Sequence, residues 1–335
     1  MKGVSEQHAA NSIGCIVLHA VLATVCWASA SAAQPCAPGM RIFQHAAGVD
    51  CIPVSPERIV ALHDGNVLLP LLELGVTPVG ASGETGPEGR PFFRNTEAYD
   101  TSDITVVGKH RNESAEVVTY LEPDLIITTP SPEWHYATYS EIAPTIVIDV
   151  FKQPLRAALH QFADAVDRTE RAQKLEARFD ASIAEAQAQL GDVPAQTTAL
   201  AMTYFGQRMR TMPWVHGYRA AFEAIGFRKP DWQKEFAGGS RVVEFSHEAL
   251  LNMTVDAIFL IDFSGVSGPD GDYEKFMSNP LVKVTNVASA NQIFELDGSK
   301  MGGVSWLRTI DAIDQIQEIL SHTTFDPNVH VEAQP

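Results

Sequence analysis
The chain has 335 residues, more than one ordinary domain holds and enough for two, and 45% of them are apolar, which fills sizeable cores. Its 41 acidic residues against 24 basic ones give a net charge of −17. That charge excludes a nucleic-acid-binding surface, which needs a basic face. It also means that an anionic ligand requires a local basic pocket against the global field.

Residues 1–32 read as a signal peptide. The run "GCIVLHAVLATVCW" (Gly14 to Trp27) is apolar but too short to span a bilayer, and "ASASAAQP" offers A-x-A cleavage positions at Ala28–Ala30 and Ala30–Ala32. Cys36 follows Pro35 and Cys15 precedes the apolar core, so neither fits a lipid-anchor box. The expectation is a soluble exported protein. The mature chain keeps Cys36 and Cys51. In an oxidising compartment two thiols this close are expected to pair, with two free thiols as the alternative. The bond would staple an N-terminal arm (33–56) by about 3 kcal/mol in the loop-entropy account. His45 is the only histidine in that arm, too few donors for a metal site.

Beyond the arm, strands and helices alternate. "RIVAL" (58–62) reads as a strand, "GNVLLPLLELG" as a helix closed by Gly75, and "TPVGAS" and "TVVG" (105–108) as strands. A helix from about Ser114 to Leu121 precedes the strand "DLIITT", and "YSEIAP" and "TIVIDV" give another helix and strand. Such alternation implies parallel βαβ units, here an N-terminal α/β lobe over 57–168. "TERAQKLEARFDASIAEAQAQL" (169–190) contains no Gly or Pro, and its apolar positions step by three or four. Thr169 can cap it and Gly191 ends it, over about 33 Å at 1.5 Å per residue. It is either a surface helix of one domain or a strut between two lobes. The pattern resumes over 191–335 with the strand "TTALAMTYF", a helix ending at Gly226, the strand "QIFELD" and a C-terminal helix from Trp306.

One unit occurs twice. "AEVVTYLEPDLIITT" from Ala115 and "HEALLNMTVDAIFLI" from His247 each carry a glutamate (Glu116, Glu248), an amphipathic run, and an aspartate (Asp124, Asp256) opening an apolar strand. Each glutamate falls in the first turn of its helix, where the helix dipole favours a carboxylate whatever its function. If the lobes are equivalent, the pair also suits docking on a two-fold partner bearing basic residues.

"SPERIVALHDGNVLLPLLELGVTPVGAS", "VGKHRNESAEVVTYLEPDLIITT", "SEIAPTIVID" and "FSHEALLNMTVDAIFLID" resemble the substrate-binding proteins of ABC importers for iron–siderophore complexes, haem and cobalamin, in particular the ferric-citrate and siderophore type. The resemblance runs from about Ser55 to about Leu320. It implies two Rossmann-like α/β lobes joined by a single long bridging helix, and a ferric siderophore or related iron chelate held in the cleft. It also implies a periplasmic monomer, with Glu116 and Glu248 salt-bridging to arginines of an inner-membrane ABC permease dimer. No resident cofactor follows from it. Haem or cobalamin remain alternative cargoes, and His63, His110 and His216 in possible cleft loops leave haem ligation open.

Ligand loops leave the C-terminal ends of strands, and arginine suits chelated carboxylate or catecholate oxygens. "TYFGQRMRTMPW" offers Tyr204, Arg208, Arg210 and Trp214, although the two arginines can equally pair with surface acids. In the first lobe Arg111 ranks first, and Arg90 and Arg94 flank "PFF". Near "DGSKMGGVSW" the family often has an aromatic followed by an arginine. This chain places Met301 and Ser305 there, with Trp306 adjacent as a further ligand candidate. An enzyme, such as a metal-dependent hydrolase built on "HDGN", lacks a second His/Asp cluster at useful spacing. No G-x-S-x-G elbow, P-loop or G-x-G-x-x-G occurs.

Overall fold
Apolar runs bounded by turn residues build the strands. The computed structural model of the chain describes residues 36–86, 88–205, 208–211, 216–231, 243–263, 272–298 and 303–323, with 326 and 329. The arm forms a hairpin of β1 (Met40–His45) and β2 (Gly48–Pro53), which the disulfide Cys36–Cys51 closes. His45 fixes the hairpin to the first sheet. Its Nδ1 accepts from the Val147 amide at 3.1 Å and its Nε2 meets Asp50 at 2.7 Å.

The first sheet contains β3 (Ile59–Ala61), β4 (Gly80–Ser82), β7 (Thr105–Lys109), β8 (Asn112–Glu113), β9 (Leu125–Thr128) and β10 (Thr145–Val147), in the order β10-β9-β3-β4-β7-β8. All its pairings are parallel except the β7–β8 hairpin. A two-residue ribbon, β5 (Glu84–Thr85) with β6 (Pro91–Phe92), follows β4. The expected helix after β3 is a π-helical turn, Asp64–Leu68, that runs into α1 (Leu69–Glu73). Next come α2 (Ala115–Tyr120) and α3 (Glu133–Ser140). The latter begins before the expected "YSEIAP", because Pro132 opens it at the N-cap. A helix the sequence reading passed over, α4 (Leu155–Ala165), buries Ala158, Leu159 and Phe162.

Helix α5 (Thr169–Leu190) has the expected limits and buries Ala172, Leu175, Phe179, Ala186 and Leu190. Thr169 is its first helical residue, and the N-cap is Arg168, with no side-chain cap bond. After α6 (Val193–Gln196), the second sheet comprises β11 (Ala199–Phe205), β12 (Arg208–Arg210), β13 (Glu244–Phe245), β14 (Ala257–Asp262) and β15 (Ile293–Asp297), in the order β13-β12-β11-β14-β15. β11, β14 and β15 pair in parallel, and β12 and β13 in antiparallel fashion. Its helices are α7 (His216–Ile225), α8 (His247–Leu250), α9 (Asp272–Ser278), α10 (Pro280–Lys283), α11 (Asn286–Ser289) and α12 (Trp306–Ser321).

One continuous apolar core runs from Ile59 and Ile127 of the first sheet through Leu175 and Phe179 of α5 to Phe259 and Trp306. Helix α5 therefore bridges the two sheet-bearing lobes as a packed element of both. A second tie lies beside it. The Glu73 carboxylate at the end of α1 accepts from the Ser305 hydroxyl, the Trp306 amide at 3.0 Å and the Leu307 amide at 3.3 Å, capping α12. Burial pushes the Glu73 carboxyl up to about 7, against the opposing pull of those bonds and of Arg308. Next to it the Val304 amide donates to the Gly65 carbonyl at 3.1 Å, and Gly303, at φ 97°, comes so close that a Cβ would strike that carbonyl. Among the described residues no helix is long and apolar enough to cross a membrane.

Candidate functional site
The duplicated unit is built the same way in both lobes. Ser114 caps α2, its hydroxyl accepting from the Val117 amide at 3.2 Å, and Ser246 caps α8, accepting from the Ala249 amide at 3.3 Å. Glu116 and Glu248 each follow at the second helical position, and both are exposed. The aspartates act on the neighbouring strand. Asp124 accepts from the Glu57 and Arg58 amides at 2.7 and 3.0 Å, and Asp256 accepts from the Thr198 amide at 2.6 Å. In each lobe that pins the entry of the strand which pairs in parallel with the unit's own strand, β3 on β9 and β11 on β14.

At the C-terminal edge of the first sheet, the loop after β3 presents His63 and buried Asp64. Arg94 clamps Asp64 through Nε at 2.7 Å and Nη2 at 2.5 Å, and its backbone amide adds a bond at 3.2 Å. Burial opposes ionisation of Asp64, but the bonds from Arg94 and His63 hold its carboxyl well below the usual range. Glu84 lies 3.8 Å from Arg94 and 3.6 Å from Lys109. The Arg94 guanidinium is thus fixed yet 44% exposed, so it can take a further oxyanion without reorganising. Arg111, in the β7–β8 turn at φ 66°, is exposed and donates to the Pro130 carbonyl at 3.2 Å. Arg90 stands further out, 84% exposed and paired with Glu88.

On the same edge lies a cluster that sequence reasoning did not assemble. His110 Nδ1 donates to the Leu62 carbonyl at 2.7 Å and lies 3.6 Å from Glu113. Glu113 also accepts from the Ser82 hydroxyl at 2.7 Å and from His135 Nε2 at 3.0 Å. Burial works against ionisation of Glu113, but the bonds from His110, His135 and Ser82 outweigh it and keep the carboxyl well below its usual range. The local signal was the H-x-x-E spacing of His110 and Glu113. His135 comes from the next helix, so no local pattern contains it. The His63 ring packs against this group at a tilt, 4.5 Å from the His110 ring, while His216 opens α7 and its side chain lies outside the described set.

In the second lobe the expected ligand loop is a hairpin. Arg208 and Arg210 share one face of β12 and one acid, Glu244 of β13, at 3.0 and 2.8 Å. Two guanidinium groups on one carboxylate leave net positive charge there. Tyr204, expected to meet the ligand, is only 5% exposed, and its ring packs on His247 and Phe276 in a second core that supports the hairpin. Trp306 was a ligand candidate as well. Its fully buried indole packs on Phe179, with ring centroids 5.3 Å apart, so no ligand reaches it. Trp214 and Met301 lie outside the described residues.

Residues 48–299 match the family described as periplasmic binding protein, and the chain belongs to that family. The chain is 26% identical over 277 residues to the probable siderophore-binding lipoprotein YfiY of Bacillus subtilis, covering 79% of this chain and 83% of that protein. It is 22% identical over 288 residues to the ferric-anguibactin-binding protein FatB of Vibrio anguillarum, covering 83% of this chain and 85% of that protein. Among solved structures, Staphylococcus aureus SirA complexed with staphyloferrin B shares the fold with a TM-score of 0.70 at 22% identity, covering 86% of this chain and 100% of that one.

Proposed function
We propose that this chain is a periplasmic substrate-binding protein that captures a ferric siderophore or related iron chelate between its lobes and delivers it to an inner-membrane ABC permease dimer. The observation that carries the reading is the match to siderophore-binding relatives over about four-fifths of their own lengths. The cationic groups at the sheet edges support it. Arg94 and Arg111 from the first lobe, with Arg90 at its rim, and Arg208 with Arg210 from the second are the ligand contacts of this reading. They supply local positive charge on a chain of net charge −17, as an anionic chelate requires. Glu116 and Glu248 are its permease-docking residues, residues 1–32 its export signal, and the chain works as a monomer that carries its cargo without catalysis.

The test is the thermal stability of the protein against ferric citrate, catecholate and hydroxamate ferric complexes, haem and cobalamin. A cargo at about a hundred times its Kd adds roughly 2.7 kcal/mol. A selective shift with one ferric chelate is expected. A shift with haem or cobalamin alone would replace the cargo. Replacing Arg208 and Arg210 with Ala should weaken binding of that chelate by about 1.5–3 kcal/mol for each charged hydrogen bond lost.

A further inference from the structure
The Glu113 carboxylate has a side-chain exposure of 0%, and so does His135 beside it. Among the described residues its ion-pair partners are imidazoles alone, and no lysine or arginine reaches it. A buried anion so placed is neutralised either by a proton on one ring or by a cation held between them. The donor atoms stand close to the separation a metal requires. Two ligands at about 2.1 Å from a tetrahedral ion lie about 3.4 Å apart. Glu113 Oε2 to His135 Nε2 is 3.0 Å, Glu113 Oε1 to His110 Nδ1 is 3.6 Å, and one donor atom from each of the three residues lies within 4.8 Å of the others.

The tautomers allow it too. Without an ion, protons fill the gaps from His110 Nδ1 to the Leu62 carbonyl and from His135 Nε2 to Glu113. His135 Nδ1 is buried with no hydrogen-bond partner among the described residues. The ring can therefore carry its proton there and free Nε2, and no existing bond at Nδ1 is broken. The His110 ring is 18% exposed, which gives an ion a way in past His63.

We propose that His110, Glu113 and His135, with the Leu62 carbonyl as a fourth donor, form a site for a divalent transition-metal ion of the zinc class at the C-terminal edge of the first sheet. Two imidazoles, a carboxylate and a carbonyl are a borderline donor set that suits Zn2+ over Ca2+ or Mg2+. The ion links the loop after β3, the β7–β8 hairpin and α3, three segments that strand geometry alone does not join. The proposal does not depend on the chain carrying a ferric chelate.

The experiment titrates the tag-free protein, stripped with a chelator, with ZnCl2 and with CoCl2. One ion per chain is expected, with the visible absorption of four-coordinate Co2+. The ring 15N resonances of two histidines should move, a readout that needs no variant. His110→Gln, at the partly exposed position, should weaken binding by more than the about 10–100-fold that loss of an outer-shell partner costs. His135→Gln should do the same, and exposed His322→Gln should change nothing. Circular dichroism shows that each variant is folded. Absence of stoichiometric binding to the wild-type protein would overturn the proposal, as would His110→Gln and His135→Gln variants that bind as tightly as wild type.

Discussion

Ser114–Thr128 and Ser246–Asp262 are one device in two settings. Both start with a serine cap, expose a glutamate one residue into the helix, and use an aspartate to hold the next parallel strand. They differ at the aspartate. Asp124 is half-buried and its two backbone bonds lie at an exposed edge, whereas Asp256 is fully buried, 3.6 Å from Arg228, and its own carbonyl accepts from Gln292. The outer ends of the units do the same job in both lobes, and the inner ends carry different loads. Shared surface chemistry thus coexists with unequal structural roles.

The largest expected effect separates the two aspartates. Asp256→Ala leaves the Thr198 amide without its acceptor and the half-exposed Arg228 without that carboxylate, and should cost about 2–3 kcal/mol. Asp124→Ala should cost about 1–2 kcal/mol, in the range of an exposed capping loss. Denaturant unfolding of both variants checks the contrast, and equal losses would erase it.

The lobes are also joined unequally, because one acid of the first caps the last helix of the second. Glu73, raised to about 7, is protonated in the fold at pH values where the unfolded chain has lost its proton. Its contribution is present below its unfolded value near 4.5 and is lost as pH rises towards 7, by about 3 kcal/mol in all. The groups facing it are Ser305, Arg308 and Tyr99. Glu73→Gln should flatten this part of the pH profile, read by unfolding at pH 5 and pH 8. A slope unchanged in the variant would place the titration elsewhere.

The smallest effect should be the most symmetrical. Ser114→Ala and Ser246→Ala each remove one cap bond, for about 1 kcal/mol apiece. A clear inequality between them in melting temperature would mean that the two helix starts are not equivalent.

Much of this architecture is visible in local pattern. The limits of α5 follow from a stretch without Gly or Pro whose apolar residues recur every three or four positions, and the repeat shows in the spacing of Glu116 to Asp124 and Glu248 to Asp256. What escaped depends on contacts far apart in the chain. The β1–β2 hairpin holds its place through His45 and Val147. Tyr204 and Trp306 look like ligand aromatics in sequence, and only packing against Phe276 and Phe179 shows them to be core. Arg208 and Arg210 read as a loop because the antiparallel return of β12 on β11 has no strong strand composition. His135 joins Glu113 only once α3 folds back over the first sheet.

The most direct test of the central claim reverses both exposed glutamates, Glu116→Lys with Glu248→Lys, and measures ferric-chelate affinity in solution alongside uptake in cells. Unchanged affinity with abolished uptake is expected. Affinity that collapses together with uptake would place these residues in the ligand site or the fold, and would contradict a docking role for the repeated unit.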